Sequence, residues 1–235
     1  VRRSSPQCVH VGQEQRELSA RLAGKDPERV IAALEPYATP ARRARLQAVF
    51  AERIDAVTVL TDKLYDPHNG AAVLRSCDAF GVGVVHAVEK PSQPLLSTRN
   101  VSRGAERWVE VRASEHLDEV VAAVRARGHE LVATHPEGEL APDDLGSLPR
   151  VCLVIGNERD GIGDELRAHC QRSVRVPMRG FVESLNLSVT TAILLAYATG
   201  KRRGDLSLEA QRALYARALY SSLARAPELL DAAGV

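Results

Sequence analysis

The chain has 235 residues, 45% hydrophobic and 26% charged, with a formal net charge of +1 and four cysteines. That is an ordinary soluble globular composition, sized for one α/β domain with helical extensions or two small domains, and its bulk charge does not mark a nucleic-acid binder. The longest apolar run, Ile193–Tyr197, is too short to span a bilayer; residues 1–7 lack the apolar segment of a secretory leader; and Cys8, Cys77, Cys152 and Cys170 show neither a C-x-x-C pair nor zinc spacing, which predicts reduced, buried thiols in a cytoplasmic protein without a metal.

Residues 1–25 are polar and read as a loose arm. Asp26-Pro27 is an N-cap followed by proline at the first helical position, with Val30, Ile31 and Leu34 on one face. Thr39-Pro40 starts a second helix carrying Leu46, Val49, Phe50 and Ile54. From Val57–Leu60, strands and helices alternate. Asp66-Pro67 opens a helix with Val73, Leu74, Cys77 and Phe80 at helical spacing, closed by Gly81. Val82–Val88 and Trp108–Arg112 are predicted strands, His116–Arg127 a helix ended by Gly128, and Glu130–Thr134 a strand. The apolar run Val151–Ile155 predicts a strand buried on both faces. A helix near Asp164–Cys170 precedes the strand Ser173–Val176, and a long helix runs from Leu185. Leu206–Tyr220 and a last piece near Pro227 read as helices. The alternation predicts an α/β fold with a mostly parallel sheet covered by helices on both faces. Three regions follow: an N-terminal arm and helical extension over 1–55, a catalytic domain over 56–203, and a C-terminal helical extension over 204–235.

Three segments carry chemistry. Val151–Gly163 is a strand leading into a glycine-rich turn. It fails as a P-loop, because Ile162-Gly163 follows Gly161 where Lys-Ser/Thr is required, and its glycines do not match a dinucleotide fingerprint. What remains is a strand end where Gly156 lets the backbone approach a bound nucleoside with Glu158 beside it, or a plain turn with a surface Glu. Asn69-Gly70 is ordinarily a hairpin signal, but the helical periodicity that follows places Asn69 at a helix start. Arg75 lies six residues further on, among Ala72, Val73, Leu74, Cys77 and Ala79. Most helix arginines are solvated; these neighbours suggest partial burial. Ser184 is a natural N-cap for the following helix, whose free N–H groups can also hold an anion. Asn186, a poor interior helix former, either faces a site or is a tolerated surface residue. Arginines cluster at Arg42, Arg43 and Arg45, at Lys201–Arg203, and at Arg99, Arg103, Arg107 and Arg112, as solvated faces or as RNA contacts.

Taken together, A-x-x-R-S/T-x-D-A-x-G over Ala72–Gly81, G-x-E-x-x-G over Gly156–Gly161 and P-M-x-G-x-V-x-S-L-N-x-S over Pro177–Ser188 resemble the signature motifs of the TrmH/SpoU group of RNA ribose methyltransferases, in their order and distances. The resemblance covers roughly residues 56 to 200. It implies a SPOUT-type fold with a deep C-terminal trefoil knot, a homodimer, and S-adenosylmethionine as methyl donor to a ribose 2′-hydroxyl of tRNA or rRNA. Residue by residue, it implies cofactor contacts at Gly156, Val176, Leu185, Thr134, His135 and Met178. It places catalytic and substrate roles on Asn69, Arg75, Glu158, Ser184 and Asn186. Guanidinium does not deprotonate at accessible pH, so Arg75 suits a preorganised cation stabilising the developing alkoxide better than a general base. Ser102–Val111 and the short helical extensions resemble the tRNA guanosine-18 enzymes, whereas Glu183 stands where those usually carry Gln. An rRNA ribose methyltransferase, or a binding-only relative, is the alternative.

Overall fold

The computed structural model describes Leu18, residues 20–90 and residues 104–235. Cys8, Arg99 and Arg103 fall outside these, as does all of the expected arm before Leu18. Within the arm's last stretch, Leu18 and residues 20–22 are helical and Leu18 is buried, so this part is not irregular.

Helix α1 (Pro27–Leu34) starts as the sequence predicts, with Asp26 accepting the Glu28 N–H. Thr39 caps α2 (Pro40–Ala51). Six strands follow: β1 (Val57–Asp62), β2 (Val84–Val88), β3 (Glu110–Ser114), β4 (Glu130–Thr134), β5 (Val151–Ile155) and β6 (Arg172–Val174). They form one sheet in the order β3-β2-β1-β5-β4-β6, with every strand pairing parallel. Between and after them come α3 (Pro67–Ala79), α4 (Leu117–Ala126), α5 (Asp164–Ala168), α6 (Leu187–Thr199), α7 (Leu208–Ser222) and α8 (Ala226–Ala232).

β1 and β5 are buried along their whole length, as a central strand covered on both faces must be. The two-residue period sorts their side chains. Val57, Val59, Val151, Leu153 and Ile155 pack with Val73, Leu74 and Cys77 of α3 and Leu194, Leu195 and Ala198 of α6. On the opposite face Leu60, Cys152 and Val154 meet Val120, Val121 and Val124 of α4 and Leu166 of α5. Cys77 and Cys152 are buried free thiols, whereas Cys170 is half-buried.

The terminal helices share a third core. Val30, Ile31, Leu34, Leu46 and Phe50 of α1 and α2 pack against Tyr215, Leu219 and Leu230 of α7 and α8. The chain between α6 and α7 is held to the start of β1, where the Asp205 carboxylate accepts the backbone N–H groups of Asp55 and Ala56.

Three local readings are corrected. Trp108 lies at the end of a 3-10 turn, Ala105–Arg107, and the third strand begins at Glu110. Helix α6 begins at Leu187, not Leu185. Its N-cap is Asn186, whose Oδ1 accepts the Ser188 N–H at 2.8 Å, so Ser184 does not cap it.

Candidate active site

The loops that leave β1, β4, β5 and β6 all emerge at the carboxyl edge of the sheet, where ligands of parallel sheets sit. Between the loops after β4, β5 and β6 is a pocket of about 500 Å³. Thr134 and His135 come from the end of β4, and Gly156 and Glu158 from the loop after β5. Val176, Met178, Ser184, Leu185 and Asn186 come from the long connection between β6 and α6. Every residue expected to contact a cofactor therefore lines one cavity.

Gly156 and Gly161 shape its floor. A Cβ at Gly156 would stand 2.2 Å from the Gly161 carbonyl carbon and 2.5 Å from Ile162 N, so only glycine lets these backbone segments meet. Gly161 has φ of +71°, and its carbonyl accepts the Asn157 N–H at 2.9 Å. Asn157 Oδ1 accepts the Arg159 and Asp160 N–H groups, at 3.0 and 2.8 Å, closing the turn that presents Glu158. Asp62, buried at the end of β1, fixes the far side of this loop by accepting the Gly163 N–H at 2.8 Å.

Glu158 is the junction of the site. Its Oε2 accepts the Tyr65 N–H at 2.9 Å, and its Oε1 accepts the Asp66 N–H at 3.2 Å and Asn69 Nδ2 at 2.8 Å. Burial raises the pKa of its carboxyl, but the Asn69 amide and the backbone N–H donors outweigh it and hold the group below its ordinary value. The Asn69 amide, oriented by that bond, offers Oδ1 to Asn186 Nδ2 at 3.1 Å. Asn186 in turn accepts from Ser188 Oγ at 2.6 Å. A chain of hydrogen bonds thus joins Glu158 of the second motif and Asn186 of the third to Asn69, three residues before the first.

Ser184 and Leu185 line the pocket without joining this chain. Arg75 stands apart. It is exposed, correcting the expected partial burial, because six residues of helix carry it about 120° around α3 from Asn69 and away from the buried face. Among the described residues its guanidinium makes no ion pair or hydrogen bond. Sequence reasoning missed Tyr65, Asn157 and Asp62. The first two act through backbone or local turn geometry that no spacing reveals; Asp62 was legible as the one charged residue of the strand that begins at Val57.

A second cavity, of about 410 Å³, lies at the opposite, amino edge. Its Arg53, Arg112 and Arg127 pair with Asp78, Glu110 and Asp55, the last shared with Arg150, whereas its Arg217 forms no ion pair among the described residues. Among the described residues no group of His, Cys, Asp and Glu is placed to hold a metal ion, and no helix is long and apolar enough to cross a membrane.

Comparison with known proteins agrees with this geometry. The SpoU rRNA Methylase family matches residues 56–196. The tRNA (guanosine(18)-2′-O)-methyltransferase of Thermus thermophilus is 34% identical over 166 residues, 70% of this chain and 84% of that one. Among solved structures, the TrmH/SpoU tRNA modifying enzyme of A. aeolicus superposes with a TM-score of 0.70 at 26% identity, covering 78% of this chain and 97% of that one. The AdoMet-bound rRNA methyltransferase of Sinorhizobium meliloti superposes at 0.56 with 27% identity, covering 65% and 59%. With a family match over more than half its length, bearing on the same three loops that build the pocket, the chain belongs to the SpoU methylase family.

Proposed function

We propose that this chain is an S-adenosylmethionine-dependent tRNA ribose 2′-O-methyltransferase acting on guanosine-18 of the D-loop. The observation that carries the reading is the hydrogen-bonded chain Glu158–Asn69–Asn186 at the rim of a pocket walled by the third motif. The relatives with high coverage named for this reaction favour tRNA; the rRNA enzyme among the structural neighbours keeps ribosomal RNA as the second reading.

The pocket fits S-adenosylmethionine. Its volume lies in the range of small-molecule sites, and Ile155, Ile162, Val174, Val176, Leu185 and Met178 give it apolar walls suited to a nucleoside and a thioether stem. Thr134 and His135 would meet the nucleoside, with Gly156, Val176 and Leu185 in close backbone approach. When bound, the cofactor supplies a methyl group on a positively charged sulfur, an electrophile that needs no metal.

The remaining task falls to the protein: a ribose hydroxyl scarcely ionised at neutral pH must attack that methyl carbon as its proton leaves. The Arg75 guanidinium, unpaired among the described residues, is available to stabilise the developing alkoxide, with an RNA phosphate taking the proton. Removing one such preorganised donor costs about 2.7–4 kcal/mol of barrier. Asn69, held by Glu158 on one side and Asn186 on the other, positions the ribose, and Ser184 shapes the loop.

The reading extends to a homodimer with the family's C-terminal knot, acting in the cytoplasm, with residues 56–203 as the catalytic domain and the terminal helices as RNA-contacting extensions. A homodimer is supported by α6, which carries no charged residue and leaves Val189 and Tyr197 exposed, next to a loop with Phe181 and Val182 also exposed. The test is transfer of tritiated methyl from S-adenosylmethionine to unmodified tRNA transcript and, in parallel, to ribosomal RNA fragments, with the modified nucleotide mapped. A 2′-O-methylguanosine in the D-loop is expected. Transfer to ribosomal RNA alone would replace the substrate, and cofactor binding without transfer to either would leave a binding protein.

A further inference from the structure

β2, β1 and β5 are neighbours in the sheet, so the loops beyond their carboxyl ends lie side by side. Tyr65 stands in the loop after β1, Lys90 just past β2 and Arg159 in the loop after β5. The three converge. Lys90 Nζ lies 3.1 Å from the centroid of the Tyr65 ring, and Arg159 Cζ lies 4.4 Å from it. The ring is fixed from two further directions: its hydroxyl donates to Asp160 Oδ2 at 3.3 Å and its backbone N–H to Glu158 Oε2 at 2.9 Å.

The π face attracts both cations but does not neutralise them. Among the described residues neither side chain forms an ion pair or a hydrogen bond. The nearby Glu158 and Asp160 accept from neutral donors, Asn69 with two backbone N–H groups and the Tyr65 hydroxyl, and neither forms an ion pair with Lys90 or Arg159. Two like charges gathered on one ring repel, and an anion from outside the chain would relieve that repulsion. Arg159 lines the cofactor pocket, so this anion would sit at its rim, beside the Glu158–Asn69 pair.

The geometry points to a phosphate clamp formed by Lys90 and Arg159 and organised by Tyr65, which takes a phosphodiester flanking the target ribose. This rests on the RNA-methylating reading above. A guanidinium fork suits phosphate oxygens, and the ammonium adds a point charge beside it. Tyr65 is a positioning residue: it acts by holding the two cations, and its loop also carries Glu158's backbone donors.

The experiment measures the affinity of unmodified tRNA transcript against salt, without cofactor, for wild type, Lys90→Gln, Arg159→Gln, the double variant, Tyr65→Phe and Tyr65→Leu. One lost phosphate contact lowers the slope of log K against log salt by about 0.7–0.9, and the double variant is expected to show that change. Tyr65→Leu is expected to weaken RNA binding about fivefold and to raise KM for RNA more than it lowers kcat, while Tyr65→Phe, which keeps the ring but loses the bond to Asp160, falls between it and wild type. Wild-type RNA binding with an unchanged slope in the double variant would overturn the clamp alone. Failure of the wild-type chain to bind any RNA would overturn both the clamp and the function it rests on.

Discussion

Replacing Glu158 by alanine removes three hydrogen bonds at once, from Tyr65 N, Asp66 N and Asn69 Nδ2. In a buried site each bond to a charged acceptor would contribute about 1.5–3 kcal/mol; at this exposed carboxylate, solvent screening brings each to about 0.5–1, or roughly 2 kcal/mol together. For a chain of this size that lowers Tm by about 4–8 °C. Activity is expected to fall further than stability, because the Asn69 amide loses the partner that orients it toward Asn186. A misplacement of about 1 Å in a positioning group costs about 100-fold, and kcat is expected to drop by that order. Glu158→Gln keeps one acceptor oxygen but turns an amide N–H₂ toward a backbone N–H, so it should fall between. The folded carboxyl titrates below its ordinary value of 4.5, so its stabilisation is present above that pH and is lost as pH falls through the lower folded value. The difference in Tm between wild type and Glu158→Ala should therefore shrink on acidification below about pH 4.5. Thermal melts across pH and steady-state methyl transfer read these quantities. An alanine variant that melts with wild type and keeps kcat within about threefold would refute the network's role.

Other substitutions probe separate parts of the account. Gly156→Ala forces a Cβ into the Gly161 backbone; it should cost about 1–3 kcal/mol in stability and abolish tight S-adenosylmethionine binding by calorimetry, and normal binding would remove the close-approach argument. His86 is buried on β2, neither ring nitrogen has a hydrogen-bond partner among the described residues, and burial together with the Arg112 charge lowers its pKa from 6.5 to about 4. The unfolded state takes up this proton first, so stability should fall as pH drops from about 6.5 toward 4, by about 2 kcal/mol at pH 5. His86→Leu should flatten thermal melts over that window, and an equally steep variant would contradict the assignment. Neutralising Arg42, Arg43 and Arg45 on α2 should weaken tRNA binding and reduce its salt slope, and an unchanged slope would remove this helix from the RNA surface.

The sheet was legible because Val151–Ile155 is a continuous apolar run of strand length and Val57–Leu60 is rich in β-branched residues, and because Asp26-Pro27, Thr39-Pro40 and Asp66-Pro67 announce helix starts chemically. The α6 boundary was less so: Ser184 and Asn186 are both competent caps, and only the loop geometry decides that Asn186 takes the Ser188 N–H. Helical phase also misled at Arg75. Its sequence neighbours are apolar, but the side chain itself projects away from the buried face. The link from Glu158 to Asn69 and on to Asn186 spans 89 and then 117 residues, and local pattern carries no information about such contacts. The shared core of the terminal helices was hidden for the same reason, since α1 and α7 each show only an apolar stripe and not its partner.

The most direct test of the central claim is methyl transfer to a tRNA transcript carrying a single 2′-deoxyguanosine at position 18, beside the all-ribose transcript and the Arg75→Ala enzyme. The account predicts methylation of the all-ribose transcript by wild type, none of the deoxy transcript, and a loss of about 100- to 1000-fold in rate with Arg75→Ala while S-adenosylmethionine still binds. Undiminished transfer to the deoxy transcript would show that the acceptor is not that ribose hydroxyl, and a fully active Arg75→Ala would show that the exposed guanidinium has no part in the reaction.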